Sequence, residues 1–265
     1  EKELVEHPLA SSTTGIGHTR WATHGAPTDR NAHPHLGRHE RVAVIHNGII
    51  ENFAGLREDL EADGTEMRSD TDTEVAAHLL ERELETGVDL TEAMQRVCRQ
   101  LEGAFTLLAV HADSPGVVVG ARRNSPLVVG LGEGENFLGS DVAAFIGHTR
   151  NALELGQDQI VTITPDSYSV INFDGTPAEG KHYEVTWDAA AAEKGGYATF
   201  MEKEINDQPH AVADTLLGRT DADGRLVLDE MSISEEQLRA VDRITLVACG
   251  TAGSAGLVDK YAICL

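Results

Sequence analysis

Val42-Ala-Val-Ile-His-Asn-Gly-Ile-Ile-Glu-Asn52 starts as an apolar strand and runs straight into a helix signal. Val and Ile dominate Val42 to Ile50, the composition of a strand with buried neighbours. From Asn52 to Ala62 the apolar residues change to helical spacing, with Phe53, Leu56 and Leu60 on one side and Gly64 just beyond. A second helix opens at Thr71-Asp-Thr-Glu74, which has capping-box spacing. Its Val75, Leu79, Leu80 and Leu84 share a face, and Gly87 is a natural stop. A third helix is expected from Leu90 to Glu102, with Met94, Val97, Cys98 and Leu101 at core spacing.

Working outward, strand signals lie on both sides of this helical block. Gly15 to Ala22 precedes it. Phe105 to His111, Gly116 to Ala121, Leu127 to Gly130, Gln159 to Ile163 and Tyr168 to Phe173 follow it. Thr164-Pro-Asp-Ser167 is a hairpin loop between the last two. Short strands joined by turns favour antiparallel pairing over a βαβ repeat, so the expected class is α+β.

The pattern changes after Asp188. A first domain over 1–188, a linker over 189–197 and the start of a second domain over 198–265 are expected. Ala189 to Ala192 and Lys194-Gly-Gly196 have linker composition, and Tyr197 to Asn206 reads as a helix. Gln208-Pro209 reads as a helix restart with Pro at the first position. Asp221-Ala-Asp-Gly224 is a turn. Arg243 to Ala248 has the composition of a buried strand, leading through a small-residue loop, Cys249-Gly-Thr-Ala-Gly253, into a helix. That α/β unit has no further strand to pair with, so the second domain is expected to be cut short.

Composition narrows the function. Of 265 residues, 41% are hydrophobic and 25% charged, as in a soluble globular protein. No apolar run approaches the ~18 residues of a membrane span, and the acidic start Glu1-Lys-Glu lacks a signal sequence's apolar core. A formal charge of −23 disfavours nucleic acid and anionic membranes as partners, though a local Arg or helix terminus can still hold a small anion. Three scattered cysteines argue for a reducing, cytoplasmic setting and against a disulfide framework. His33-Pro-His35 and His39 lie near His24 but lack the carboxylates and helical spacing of zinc sites, so a structural loop without metal is expected. Cys98 belongs to the core face of its helix.

The chemistry-bearing residues fall in three segments: Gly17-His-Thr-Arg-Trp-Ala-Thr-His-Gly25, His46-Asn-Gly-Ile-Ile-Glu-Asn52 and Ser69-Asp-Thr-Asp-Thr-Glu74. The Arg20 guanidinium can pair with a carboxylate through two parallel hydrogen bonds. Asp72, in a first helical turn, complements the helix dipole and could also receive an ammonium. Asn47 and Gly48 can aim a side-chain amide and a backbone N–H at one developing oxyanion. Asn-Gly is equally the strongest signal for a type I′ hairpin, and that reading stays open. Together these groups could hold a free α-amino acid. Thr251, after the expected strand, could meet a phosphate.

The same three segments resemble the class II, N-terminal-nucleophile glutamine amidotransferases. Within them the specific likeness is to the branch that makes glucosamine 6-phosphate from fructose 6-phosphate. Met201-Glu-Lys-Glu-Ile205, Gln208-Pro209 and Ala248-Cys-Gly-Thr251 resemble that branch's linker and the start of its sugar-isomerase domain. The resemblance implies a four-layer α/β/β/α sandwich followed by the beginning of an α/β isomerase domain. It implies that Arg20 binds the glutamine α-carboxylate and Asp72 its α-ammonium. Asn47 and Gly48 would form the oxyanion hole, with Thr23 and His24 lining the pocket. Trp21 would stand by the ammonia passage and Thr251 would touch the sugar phosphate. It further implies acyl transfer by a terminal cysteine with its own amino group as base, no cofactor and a homodimer at full length. That cysteine and the first strands have no counterpart ahead of Gly17, so the chain as given is expected to be inactive by itself. The alternatives are a glutaminase domain of the phosphoribosyl-pyrophosphate type and a non-catalytic glutamine- or glutamate-binding fragment.

Overall fold

A computed structural model describes residues 12–21, 24–186, 194–216, 234–248 and 250–263. The chain divides into two compact units, Glu1–Gly195 and Gly196–Leu265.

Two antiparallel sheets build the first unit. The larger has the order β1 (His35–Leu36), β2 (Val42–Ile50), β3 (Gly103–His111), β4 (Val118–Arg123), β8 (Gln159–Ile163), β9 (Tyr168–Asn172). The smaller runs β10 (Lys181–Glu184), β7 (Asn151–Glu154), β5 (Val128–Leu131), β6 (Asn136–Gly139). The longest ladder joins β2 to β3, from Val42 opposite His111 to Ile50 opposite Gly103. Side chains alternate across this sheet. Val42, Val44, Phe105, Leu107, Ala109, Val119, Ala121 and Ile160 face the helices. Val118, Val161 and Ile163 face Leu127, Val129, Leu153 and Leu155 of the smaller sheet's layer. The sheets meet closely at Gly120, where an added Cβ would stand 3.0 Å from both Leu127 and Leu138. On the outer face of the smaller sheet, the turn Val142–Ala144 brings Phe145 and Ile146 against Ala152 and Val185.

Three helices cover the larger sheet: α1 (Phe53–Ala62), α2 (Thr73–Leu84) and α3 (Leu90–Cys98). α2 packs on β1 and β2 and against both α1 and α3. Every residue from Thr73 to Glu81 is therefore buried. A helix enclosed on all sides is ordinarily apolar all round. This one carries Thr73, Glu74, His78 and Glu81, whose polar groups need partners inside the protein.

Several expectations change. Residues 15–21 form no strand; they lack a ladder partner among the described residues. The Asn47-Gly48 hairpin does not form, because β2 continues through both residues to Ile50. The third helix stops at Cys98 rather than Glu102; the Gln100 N–H turns back to Val97 and the chain enters β3 at Gly103 with φ +110°. The capping box at Thr71 and Glu74 is replaced by a different arrangement, described below. β1, β6, β7 and β10 are short strands that the sequence reading did not mark.

The second unit contains α4 (Phe200–Leu216), α5 (Glu235–Arg239) and α6 (Gly250–Ile263). α4 runs through Pro209 where a restart was expected. Ser234 and Gln237 form a capping box at α5. Residues 243–248 form no strand, and Ile244, Leu246 and Val247 are exposed. No described neighbour in this unit offers the segment a ladder, and a lone strand is not stable. α6 starts at Gly250, inside the expected loop; Cys249 lies outside the described residues, as do Ala189 to Ala192 and Asp221 to Gly224. No described helix is long and apolar enough to cross a membrane.

Candidate functional site

The start of α2 organises the site. Glu74 turns back from the helix and accepts hydrogen bonds from the Arg68 N–H, the Ser69 N–H and the Ser69 hydroxyl, each at 2.7 Å. Burial alone would push the Glu74 carboxyl up, but these bonds and the neighbouring His78 outweigh it and bring it to about 2. Glu74 thus caps the loop before the helix, and Thr71 is left to other partners. Ser69 gives its proton to Glu74, so it accepts from the Thr71 hydroxyl at 3.0 Å. Thr71 Oγ1 also lies 2.9 Å from His35 Nε2. One buried carboxylate thus fixes the direction of the Ser69 hydroxyl.

Asp72 is 3% exposed, and its Oδ2 accepts the Ile50 N–H at 2.9 Å. The helix start is thereby tied to the end of β2, the strand carrying Asn47 and Gly48. Asn47 is exposed and pairs in register with Thr106. Gly48 has φ +129°, and an added Cβ would stand 2.1 Å from the Ala104 carbonyl oxygen. Only glycine lets β3 approach there in that conformation. Beside it lies a cleft of about 460 Å³ lined by Gly17, Thr19, Ile45, Asn47, Thr106 and Ser140 among others.

Arg20 folds its own loop. Its guanidinium donates to the carbonyls of Gly25 at 3.0 Å and Ala26 at 3.2 Å, and to that of His24. The His24 ring meets Phe53 edge-on at 4.8 Å between centroids. Asn31, missed in the sequence and 1% exposed, staples this loop to the segment before α2. Its amide donates to the Ala26 carbonyl at 3.0 Å and Asp70 Oδ2 at 3.2 Å, and its oxygen accepts the Asp70 N–H at 2.9 Å. The three sequence segments therefore converge at one end of the larger sheet. Trp21 is 90% exposed on the rim. Thr23 lies outside the described residues. Thr251 is the second residue of α6 in the other unit, and its side chain also lies outside them.

Histidines underlie the site. The His33 ring lies tilted against His18 at 4.4 Å between centroids and meets His35 edge-on at 5.0 Å. Among the described residues no group of three or more His, Cys, Asp or Glu is arranged to hold a metal ion. Burial, then the charge of His18, brings the His33 pKa down to about 3. Burial brings His46 to about 4 against the opposing pull of Asp72. In the unfolded chain both rings take up protons near pH 6.5. The folded state resists until well below that, so stability is present above pH 6.5 and is lost as pH falls toward 4. Between pH 7.5 and pH 5 the first unit is expected to lose roughly 2–4 kcal/mol in urea unfolding followed by circular dichroism. His46→Asn should flatten that dependence; an unchanged slope would contradict the assignment.

The fold and these segments define a class. Residues 6–176 match the glutamine amidotransferase domain family, and the chain belongs to it. Its architecture is that of the N-terminal-nucleophile hydrolases. A solved structure described as the allosteric regulatory enzyme of purine biosynthesis superposes with a TM-score of 0.50 at 27% identity, over 59% of this chain and 34% of that one. More particular is the likeness to proteins named glutamine–fructose-6-phosphate aminotransferase (isomerizing). The one from Streptomyces coelicolor is 66% identical over 263 residues, covering 99% of this chain and 43% of that protein. The one from Corynebacterium glutamicum is 63% identical over 265 residues, covering 99% and 42%. The chain thus spans a little over two-fifths of the length of these relatives.

Proposed function

We propose that the first unit is the glutamine-hydrolysing portion of an enzyme that passes ammonia to fructose 6-phosphate, yielding glucosamine 6-phosphate. The observation that carries this is the convergence of Arg20, Asn47-Gly48 and Asp72 at one end of the sheet, through the Asp72–Ile50 bond and the Asn31 staple. Arg20 receives the ligand α-carboxylate beside the loop carbonyls it already holds. Asp72 receives the α-ammonium. The Asn47 amide and Gly48 N–H stabilise the oxyanion that forms when the side-chain amide is attacked. Thr23 and His24 would line that pocket and Trp21 would stand by the ammonia passage, as the resemblance implies.

Acyl transfer also needs a thiolate and a base. Cys98 is not that thiol: it is fully buried among α3 core residues, and burial pushes its pKa up. Arg20 and Asp72 supply binding, and Asn47 and Gly48 supply oxyanion stabilisation. The second unit would begin the sugar-isomerase part, with Thr251 toward the sugar phosphate and the dimer forming through the remainder. The charge of −23 disfavours nucleic acid and anionic membranes as partners, and the three scattered cysteines support a reducing, cytoplasmic setting.

Calorimetry of the chain with L-glutamate and L-glutamine tests the reading. Saturable binding of the L-amino acids, with D-glutamate at least about tenfold weaker, is expected from a site that reads both α-groups. No binding of either L-amino acid would refute it. Ammonia release stimulated by fructose 6-phosphate would favour the hexosamine branch over the phosphoribosyl-pyrophosphate type. Binding without turnover would favour a binding fragment.

A further inference from the structure

Thr73, the first residue of α2, is 1% exposed, and its hydroxyl stands between two imidazoles. His33 Nε2 lies 2.9 Å from Oγ1 and His46 Nδ1 lies 3.0 Å from it. Burial keeps both rings neutral near pH 7, so each carries one N–H. A hydroxyl has a single proton to give. At least one ring therefore donates to Thr73.

Asp72 decides which. Its Oδ2 lies 3.8 Å from His46 Nδ1. A bare nitrogen there would turn its lone pair toward a carboxylate. His46 accordingly carries its proton on Nδ1 and donates to Thr73, which shares a second hydrogen bond with His33 Nε2. The outer nitrogens, His46 Nε2 and His33 Nδ1, are buried without a hydrogen-bond partner among the described residues. The bond to Thr73 is thus what orients each ring.

We infer that Thr73 is a positioning residue of the amino-acid site: through His46 and His33 it locks the first turn of α2, and Asp72 with it, against the end of β2 that carries Asn47 and Gly48. The inference rests on the proposed role of Asp72 as the ammonium ligand. Thr73 itself reaches no ligand. Without its hydroxyl, two buried ring nitrogens lose their partners together. Relief comes from turning the rings or shifting the first helical turn, and Asp72 moves with that turn.

Thr73→Val keeps the side-chain shape and removes the hydroxyl; Thr73→Ser keeps the hydroxyl. L-glutamate affinity by calorimetry at pH 7.5 is read beside the ring tautomers by ¹⁵N NMR, with circular dichroism reporting the fold. The valine variant should bind at least about tenfold more weakly and the serine variant within about twofold of wild type. His46 should carry its proton on Nδ1 in wild type and in the serine variant. A folded valine variant with wild-type affinity would overturn the inference alone, since a purely structural role lowers melting temperature without changing affinity. A wild-type chain that binds no glutamate would overturn the site reading, and the inference with it. A His46 proton on Nε2 in wild type would overturn the bonding order from which the role is derived.

Discussion

Gly48→Ala is expected to destabilise the first unit by about 3–5 kcal/mol, the range of severe backbone and overpacking defects. Two effects combine. The backbone at φ +129° is a conformation that L side chains rarely adopt. The new methyl would also stand 2.1 Å from the Ala104 oxygen and 2.9 Å from the Phe105 Cα. Both are backbone atoms, so no side chain can swing aside. β3 cannot retreat either: Phe105 is fully buried, stacked on Phe173 at 6.2 Å between centroids and covered by the Arg123 guanidinium at 5.5 Å. Urea unfolding by far-UV circular dichroism measures the loss. Gly55→Ala is the matched control. It lies inside α1 with open space around its Cβ position, and should be neutral or stabilising by about 0.5–1 kcal/mol. Equal stability of the two variants would mean that the β2–β3 approach at Gly48 is looser than described.

The second large effect belongs to ligand binding. Asp72→Asn retains shape and an oxygen able to accept the Ile50 N–H, so the link between α2 and β2 should survive. What it loses is the negative charge. A buried site that pairs an ammonium with a carboxylate suffers by about 2–5 kcal/mol when one charge is removed. Affinity for L-glutamate should therefore fall at least about thirtyfold, with the folded signal intact. Asp63→Asn is the contrast, because Asp63 is exposed and its carboxylate pairs with Arg82 on the surface. It should change affinity by less than about threefold. Comparable binding by Asp72→Asn and wild type would remove Asp72 from the site.

Much of the first unit was legible because local patterns and tertiary packing agree. Val42–Ile50, Phe53–Ala62 and Gln159–Ile163 were readable from composition and period, and each found a partner or a core to bury its apolar face. Residues 243–248 show the opposite case. They have the same β-branched composition, yet no described neighbour supplies a ladder, so composition alone does not make a strand. Residues 15–21 fail for the same reason. Pro209 misled differently: a proline signals a helix start, but α4 passes through it.

The candidate site divides along the same line. The sequence by itself determined which chemical groups are present: a guanidinium at Arg20, an amide beside a glycine at Asn47-Gly48, a carboxylate at the start of a helix at Asp72. These follow from residue type and short spacing. Only the tertiary structure decided what each one faces. It placed Asn47-Gly48 within a ladder instead of a hairpin, and sent Glu74 back to the Arg68 and Ser69 amides instead of into a capping box. It also brought Asn31, His33, His46 and Thr73 beneath the site. Those contacts join residues far apart in the chain. They arise because α2 is enclosed on every side, and its buried polar groups must find partners across the fold that no local pattern encodes.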